Sequence, residues 1–237
     1  MNYSIIIPIL NEEKNIPLVI KKISNVFRYK KLNYEILFID DESKDNSLAT
    51  FNRFKKKHTK FFTRKEKPRD LSKSVIYGFD RSKFNNLVVM DGDLQHRPED
   101  LLKLMKTYEQ KKLDIVFGSR NLKKYTDVNL NFLRFLFSKL LNKIFNFLFS
   151  KSFDDPMSGF FIVKKKIYTK NKKNLALFGY KILIDLILSS KEPLKIKEVK
   201  INFNNRNRGF SKMRLKILAQ LIFFLLIKYF KHEKNKK

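Results

Sequence analysis

The sequence contains no cysteine, which removes disulfides, thiolate nucleophiles and thiolate metal ligands while leaving the redox compartment open. It has no P-loop and no G-x-G-x-x-G, which argues against ordinary NTPase and dinucleotide chemistry. Internal repeats and Gly/Ser linkers are also missing, so nothing in the composition demands two domains. The late apolar run I-L-A-Q-L-I-F-F-L-L-I at 217–227 falls well short of the roughly 20 residues that span a bilayer. The first residues begin a strand at once, without the basic, apolar and small-residue order of a secretory leader, and the expectation is a protein that is not secreted. Acidic residues are scarce: 23 Asp plus Glu against 52 Lys plus Arg, a formal charge of +29 on 237 residues. A surface this basic attracts something anionic, whether nucleic acid, a phosphorylated substrate or acidic lipid headgroups. The excess of Lys, Asn, Ile and Phe is also what an AT-rich genome writes, which accounts for part of the basicity.

Short β-rich apolar runs alternate with amphipathic segments of helical length. The pattern predicts strands over Tyr3–Ile9, Tyr34–Ile39, Phe61–Thr63, Leu87–Met90 and Asp114–Gly118, and helices over Glu13–Phe27, Asp45–Lys57, Leu71–Arg81 and Pro98–Gln110. Pro98 suits a first helical turn, where its missing N–H is not needed. Strands apolar throughout and separated by helices imply a mostly parallel sheet covered on both faces, an α/β domain over about the first half of the chain. In such folds ligands gather beyond the carboxyl ends of the strands.

Clusters of acidic and polar residues stand at those ends. Asn11 and Glu12 follow the first strand, Asp40, Asp41 and Ser43 the second, Asp91, Asp93 and Gln95 the Leu87–Met90 strand, and Ser119 and Arg120 the next. Ser43 and Asp45 also suit helix caps. Asp91 and Asp93, one residue apart in M-D-G-D-L-Q, repel each other unless water screens them or a cation sits between them. A hard ion such as Mg²⁺ or Mn²⁺ accepts one or two carboxylates and completes its shell with water and phosphate oxygens. Asp40 and Asp41 can meet the donors of a base or ribose, and basic residues near Arg69 or Arg120 can answer phosphate charge. The clusters describe a nucleotide-diphosphate site without a P-loop.

Asn129–Ser150 carries Leu133, Leu136, Phe137, Leu140, Leu141, Ile144, Phe147 and Leu148 on one helical arc, with Arg134, Ser138, Asn142 and Asn146 opposite. Such a helix lies in a membrane interface or packs on its own domain. A last helix over Lys212–Phe230, with Lys228 and the tail K-H-E-K-N-K-K behind its apolar run, favours anionic headgroups by about 1 kcal/mol per basic residue near the surface. Peripheral attachment to a membrane is expected, with a boundary between residues 1–212 and 213–237.

I-I-I-P-I-L-N-E-E (5–13), I-D-D-E-S-K-D (39–45), M-D-G-D-L-Q-H (90–96), G-S-R (118–120), D-P-M-S-G-F-F (154–160) and F-N-N-R-N-R-G-F-S-K (203–212) together resemble the dolichol- or polyprenyl-phosphate mannosyltransferases of glycosyltransferase family 2. Any one motif is weak, and the six in order are specific. The resemblance implies a GT-A fold, a nucleotide-sugar donor, usually GDP-mannose, a divalent cation (Mg²⁺ or Mn²⁺) and a polyprenyl (dolichyl) phosphate acceptor at the cytoplasmic face of a membrane. It implies that Pro8, Asn11 and Glu12 form the first nucleotide-binding turn, and that Asp41, with Ile39 and Asp40, meets base and ribose. Asp91, Gly92, Asp93 and Gln95 are implied at the metal and diphosphate, Arg120, Arg134 and Ser138 in an acceptor-phosphate cradle, and Arg206 and Lys212 over the donor phosphates. Three positions depart from the family: Leu10 where an aromatic is common, Phe210 where Glu is frequent, and Asp185 where Glu is usual.

A lipid phosphate is already anionic at neutral pH, so it attacks the anomeric carbon without a general base, and His58, His96 and His232 are not required. His96 reads as a loop or capping side chain. Other readings remain. A UDP-sugar donor carrying glucose or N-acetylglucosamine is the alternative within the enzyme class; outside it stands a basic membrane- or nucleic-acid-binding protein without catalysis. Nucleic-acid binding is disfavoured because the aromatics sit on amphipathic helices and the acidic clusters repel phosphate unless an ion covers them. No obligate protein partner is evident.

Overall fold

The structure, a computed structural model, describes residues 1–30, 32–120, 143–146, 153–176, 182–202 and 228. Seven strands form one sheet in the order β3-β2-β1-β4-β6-β5-β7. They are β1 Tyr3–Ile9, β2 Tyr34–Asp40, β3 Thr59–Thr63, β4 Asn86–Val89, β5 Ile115–Arg120, β6 Phe161–Lys164 and β7 Ile196–Ile201. The helices are α1 Ile16–Lys30, α2 Ser47–Phe54, α3 Leu71–Arg81, α4 Leu101–Gln110, α5 Lys165–Asn171 and α6 Ile182–Ser189.

Side chains alternate across a strand, and the apolar runs therefore feed two cores. Ile5, Ile7 and Ile9 of β1, with Ile36 and Phe38 of β2, pack under Val19, Ile20 and Ile23 of α1 and Leu101 and Leu104 of α4. Ile6, Leu37, Ile39, Leu87 and Val89 face the other way, against Val75 and Phe79 of α3, Ile167 of α5 and Leu183 and Leu186 of α6. Burying each such side chain fully is worth about 1.5–3 kcal/mol. The expectation of a mostly parallel sheet covered on both faces holds.

Several elements differ from expectation. The sheet runs through residue 201 instead of ending near the middle of the chain, and β6 lies antiparallel between β4 and β5, pairing Val89 with Phe161 and Phe117 with Phe161. Its four residues carry no pattern that distinguishes a reversed strand from any short apolar run. The helix predicted over Asp45–Lys57 is α2, two residues shorter at its start because Asp45 is already spent: Oδ1 accepts the Ser47 N–H and Oγ–H, and Oδ2 accepts the Glu13 N–H. Asp45 therefore joins two loops as well as preceding a helix. Pro98 opens a single 3₁₀ turn before α4.

Of the segment 129–150 only the helical turn 143–146 is described. Phe145, assigned to neither face by periodicity, is its buried residue, while Ile144 is half-buried. Asn146, expected on a polar face, binds the backbone of Phe153 in both directions, at 2.9 and 3.1 Å. This turn packs on the domain. Lys228, the described residue of the late helix segment, is 4% exposed, because a buried carboxylate claims it. Its Nζ lies 2.5 Å from Asp185 Oδ1 and donates to Ser189 Oγ and the Asn174 carbonyl. Asp185 Oδ2 accepts the Ala176 N–H. Among the described residues no helix is long and apolar enough to cross a membrane.

Candidate active site

Strands β1, β2, β4 and β5 run in one direction, so their carboxyl ends share one rim. The predicted residues meet there. Asn11, at φ 59°, turns the chain out of β1; its N–H donates to Ser43 Oγ and its side chain accepts the Lys44 N–H, each at 2.8 Å. The Glu12 N–H donates to Ser47 Oγ, and the Glu12 carboxylate accepts the Asn15 side chain. Ser43 N–H donates to the Asp40 carboxylate at 3.1 Å. The turns after β1 and β2 are thus one stapled unit. Pro8 lies within β1 opposite Ile39, and Ile39 is fully buried in the core beneath α3.

Asp41 sits just beyond β2 with both oxygens engaged. Oδ1 accepts Arg64 at 2.5 Å and Oδ2 accepts the Asp70 N–H at 2.9 Å. Arg64 extends the β2–β3 ladder through its N–H to the Asp40 carbonyl and spreads its guanidinium over the Glu66 and Pro68 carbonyls as well. Arg69 donates to the Glu42 carbonyl at 2.7 Å, and Lys67 pairs with the Glu42 carboxylate. The segment 64–70 is a strap fastened across the end of β2. Sequence reading missed Arg64; a lone arginine among lysines at the end of a strand was its only trace.

After β4 the chain turns at Asp91–Asp93. A Cβ on Gly92 would lie 2.9 Å from Ile9 Cγ2, so only glycine lets this turn rest directly on the end of β1. The two aspartates divide. Asp91 keeps 37% of its side chain exposed, while Asp93 is 5% exposed and accepts the Gln95 N–H at 3.1 Å. Leu94 at φ 60° completes the turn. The carboxylate of Asp91 lies against Gly159, where a Cβ would come 3.0 Å from Oδ2, with His96 Nε2 3.6 Å from Oδ2. His96 packs on the Phe160 ring with centroids 5.1 Å apart. It lies in the loop after β4, as expected, and is buried beside the site.

The chain entering β6 delivers Gly159 to this rim. Glu198 of β7 holds that loop by accepting the Asp154 and Asp155 N–H groups at 3.0 and 3.1 Å. Lys200 pairs with Asp154 and donates to Ser119 Oγ at 3.1 Å. Arg120 closes β5 opposite Ile201 of β7. Arg134, Ser138, Arg206 and Lys212 lie outside the described residues.

Among the described residues no three His, Cys, Asp or Glu side chains converge into a metal cage. An accessible carboxylate with a second in the same turn is a fitting oxygen set for Mg²⁺ or Mn²⁺ only when water and phosphate oxygens supply the rest. Asp91, Asp93 and Gln95 thus fit an ion that arrives with a diphosphate.

A model of glycosyl transferase family 2 matches residues 4–171. A dolichol-phosphate mannosyltransferase of Pyrococcus furiosus is 34% identical over 94% of this chain, and the chain spans 62% of that protein's length. The dolichol-phosphate mannosyltransferase of Saccharomyces cerevisiae is 30% identical over 94% of this chain and 85% of its own. Among solved structures, glucosyl-3-phosphoglycerate synthase from Mycobacterium tuberculosis, in complex with Mn²⁺, UDP-glucose and phosphoglyceric acid, superposes with a TM-score of 0.76 at 17% identity, covering 96% of this chain and 79% of that one. This likeness is one of fold, and the GT-A class expected from the motifs is the fold observed.

Proposed function

Because the chain belongs to glycosyl transferase family 2 and is therefore a glycosyltransferase, we propose that it transfers a hexose, mannose from GDP-mannose in the first instance, to a polyprenyl or dolichyl phosphate at a membrane surface, inverting the anomeric centre. The observation that carries this reading is the meeting of the Asp40–Asp41 corner, the Asp91–Asp93 turn and the 153–160 loop at one rim, with the Asp91 carboxylate accessible. The relatives named as dolichol-phosphate mannosyltransferases support the acceptor class.

On this reading an acceptor phosphate oxygen attacks the anomeric carbon, a new C–O bond forms, and the bond to the nucleoside diphosphate breaks with its electrons going to the diphosphate. The attacking oxygen is already anionic, so no side chain need take a proton. The chain's task is placement and charge. Arg120, Arg134 and Ser138 hold the acceptor phosphate in line, and Arg206 and Lys212 answer the departing diphosphate. Asp91, Asp93 and Gln95 would hold Mg²⁺ or Mn²⁺, whose charge neutralises the leaving group when bound. A UDP-sugar donor is the second reading, supported by the UDP-glucose bound in the Mycobacterium structure of the same fold.

The test is to incubate purified protein with Mn²⁺ or Mg²⁺, polyprenyl phosphate and a panel of GDP- and UDP-sugars, and to identify the sugar that enters the lipid phase. Mannose from GDP-mannose is expected, with Asp93→Asn lowering transfer about 100-fold or more while the fold persists. Failure of every donor with both ions overturns the proposal; transfer from a UDP-sugar alone selects the second reading.

A further inference from the structure

We propose that Arg64 is a positioning residue for the donor's base, acting through Asp41 to hold the base-side wall of the cleft ready before the nucleotide arrives. The inference rests on the proposed reading of the Asp40–Asp41 corner as the nucleotide end of the site, and names the residue that shapes it.

Arg64 is 0% exposed, the largest fully buried side chain among the described residues. A buried guanidinium is an expensive way to stabilise a strand end. An apolar side chain of similar volume would often serve as well or better, so a retained buried ion pair suggests a role in defining one arrangement, which the geometry here specifies. The planar fork reaches three separate points of the chain: the Asp41 carboxylate, the Glu66 carbonyl and the Pro68 carbonyl. Its Nε–H has no partner among the described residues, so the group is placed for its outer nitrogens and not for full satisfaction. Asp41 completes the tie through the Asp70 N–H, and Asp70 Oδ1 in turn accepts the Lys73 N–H at the start of α3. Outside the fork, Arg69 fastens the same strap to the Glu42 carbonyl.

These bonds join a strap, a strand end and a helix start around one carboxylate. The Asp40–Ser43 bond then carries the order to Asn11 and the β1 turn. The wall beside the base is therefore fixed by contacts within the chain. The Asp91–Asp93 turn, which the proposed reading gives to the diphosphate, is tied instead to Ile9, Gly159 and the Gln95 N–H. Loosening Arg64 should therefore disturb recognition of the base and leave recognition of the pyrophosphate alone, a split that a general loss of stability would not produce. Lysine at this position keeps the charge but lacks the fork that spans carboxylate and carbonyls together.

The test measures, with Mn²⁺ present, the affinities of full-length protein and of Arg64→Lys for GDP, UDP and inorganic pyrophosphate, alongside thermal unfolding. We expect the nucleoside diphosphate that binds wild type to bind the variant about tenfold more weakly, the cost of roughly one charge-assisted hydrogen bond. Pyrophosphate affinity and the KM for the lipid phosphate should not change. A folded variant with unchanged nucleotide affinity, or one that loses pyrophosphate affinity by the same factor, overturns the inference while leaving the proposed transfer standing. Wild-type protein that binds no nucleotide overturns both. Hydrogen exchange on wild type needs no variant: the nucleotide should protect amides 64–70 beyond what pyrophosphate does, and equal protection overturns the proposal even if Arg64→Lys does not fold.

Discussion

The Asp91 carboxylate lies against Gly159, where an added methyl group would come 3.0 Å from Oδ2 and 3.2 Å from Oδ1. Gly159→Ala therefore has to push the carboxylate from its position or shift the 153–160 loop. Because that loop is also held by Glu198, the carboxylate is the freer of the two. On the proposed function, the Mn²⁺ concentration that gives half-maximal transfer should rise roughly 10–100-fold, as for groups that orient a ligand without touching the ion. Transfer at saturating Mn²⁺ should largely recover. A titration of activity against Mn²⁺, with unfolding temperature as control, checks it. At this scale the sequence revealed the acids but not what presses on them. Asp91, Asp93, Asp40 and Asp41 stood out as charged residues ending apolar runs. Arg64, Gly159 and His96 did not, because their importance lies in contacts with residues far along the chain, such as the 23-residue separation of Arg64 from Asp41.

Asp114 shows how an element is held at the end of the sheet opposite the rim. Standing just before β5, it accepts Lys164 Nζ from the end of β6 and the Lys195 N–H from just before β7. Burial opposes its ionisation, yet the Lys164 bond, the Lys195 amide and the charges of Lys164 and Lys166 outweigh that and hold its carboxyl below the usual range. A carboxyl lowered on folding stabilises the native state above its unfolded value, near 4, and loses that contribution as pH falls through the folded one. Asp114→Asn should thus cost roughly 1.5–3 kcal/mol at pH 7. The gap from wild type should close below about pH 4 in urea denaturation run across pH. Element boundaries were legible where local chemistry marks them: α3 begins where expected because Asp70 caps it, and ends where expected with the Ser82 N–H turned back to the Phe79 carbonyl. The reversed β6 was not legible, since strand direction is decided by which neighbours it pairs with and not by its own four residues.

At the scale of the molecule, residue 228 is bound into the body of the domain. Lys228→Met leaves Asp185 buried with the Ala176 N–H and Ser189 hydroxyl but without its cation, and should destabilise by about 3–5 kcal/mol. The double variant Lys228→Met/Asp185→Asn should recover a good part of that loss in denaturant titrations; an additive double variant would remove the pairing from the account of stability. Deletion of 215–237 accordingly removes a structural cation as well as a basic tail, a consequence that hydropathy along the chain does not express. The antiparallel strand β6 has its own effect at this scale. By standing between β4 and β5 it keeps the Asp91 turn and the Ser119–Arg120 end two strand spacings apart, roughly 10 Å. On the proposed function it is a spacer: the gauge of the sheet sets how much room a hexose has between the group that releases it and the group that receives it.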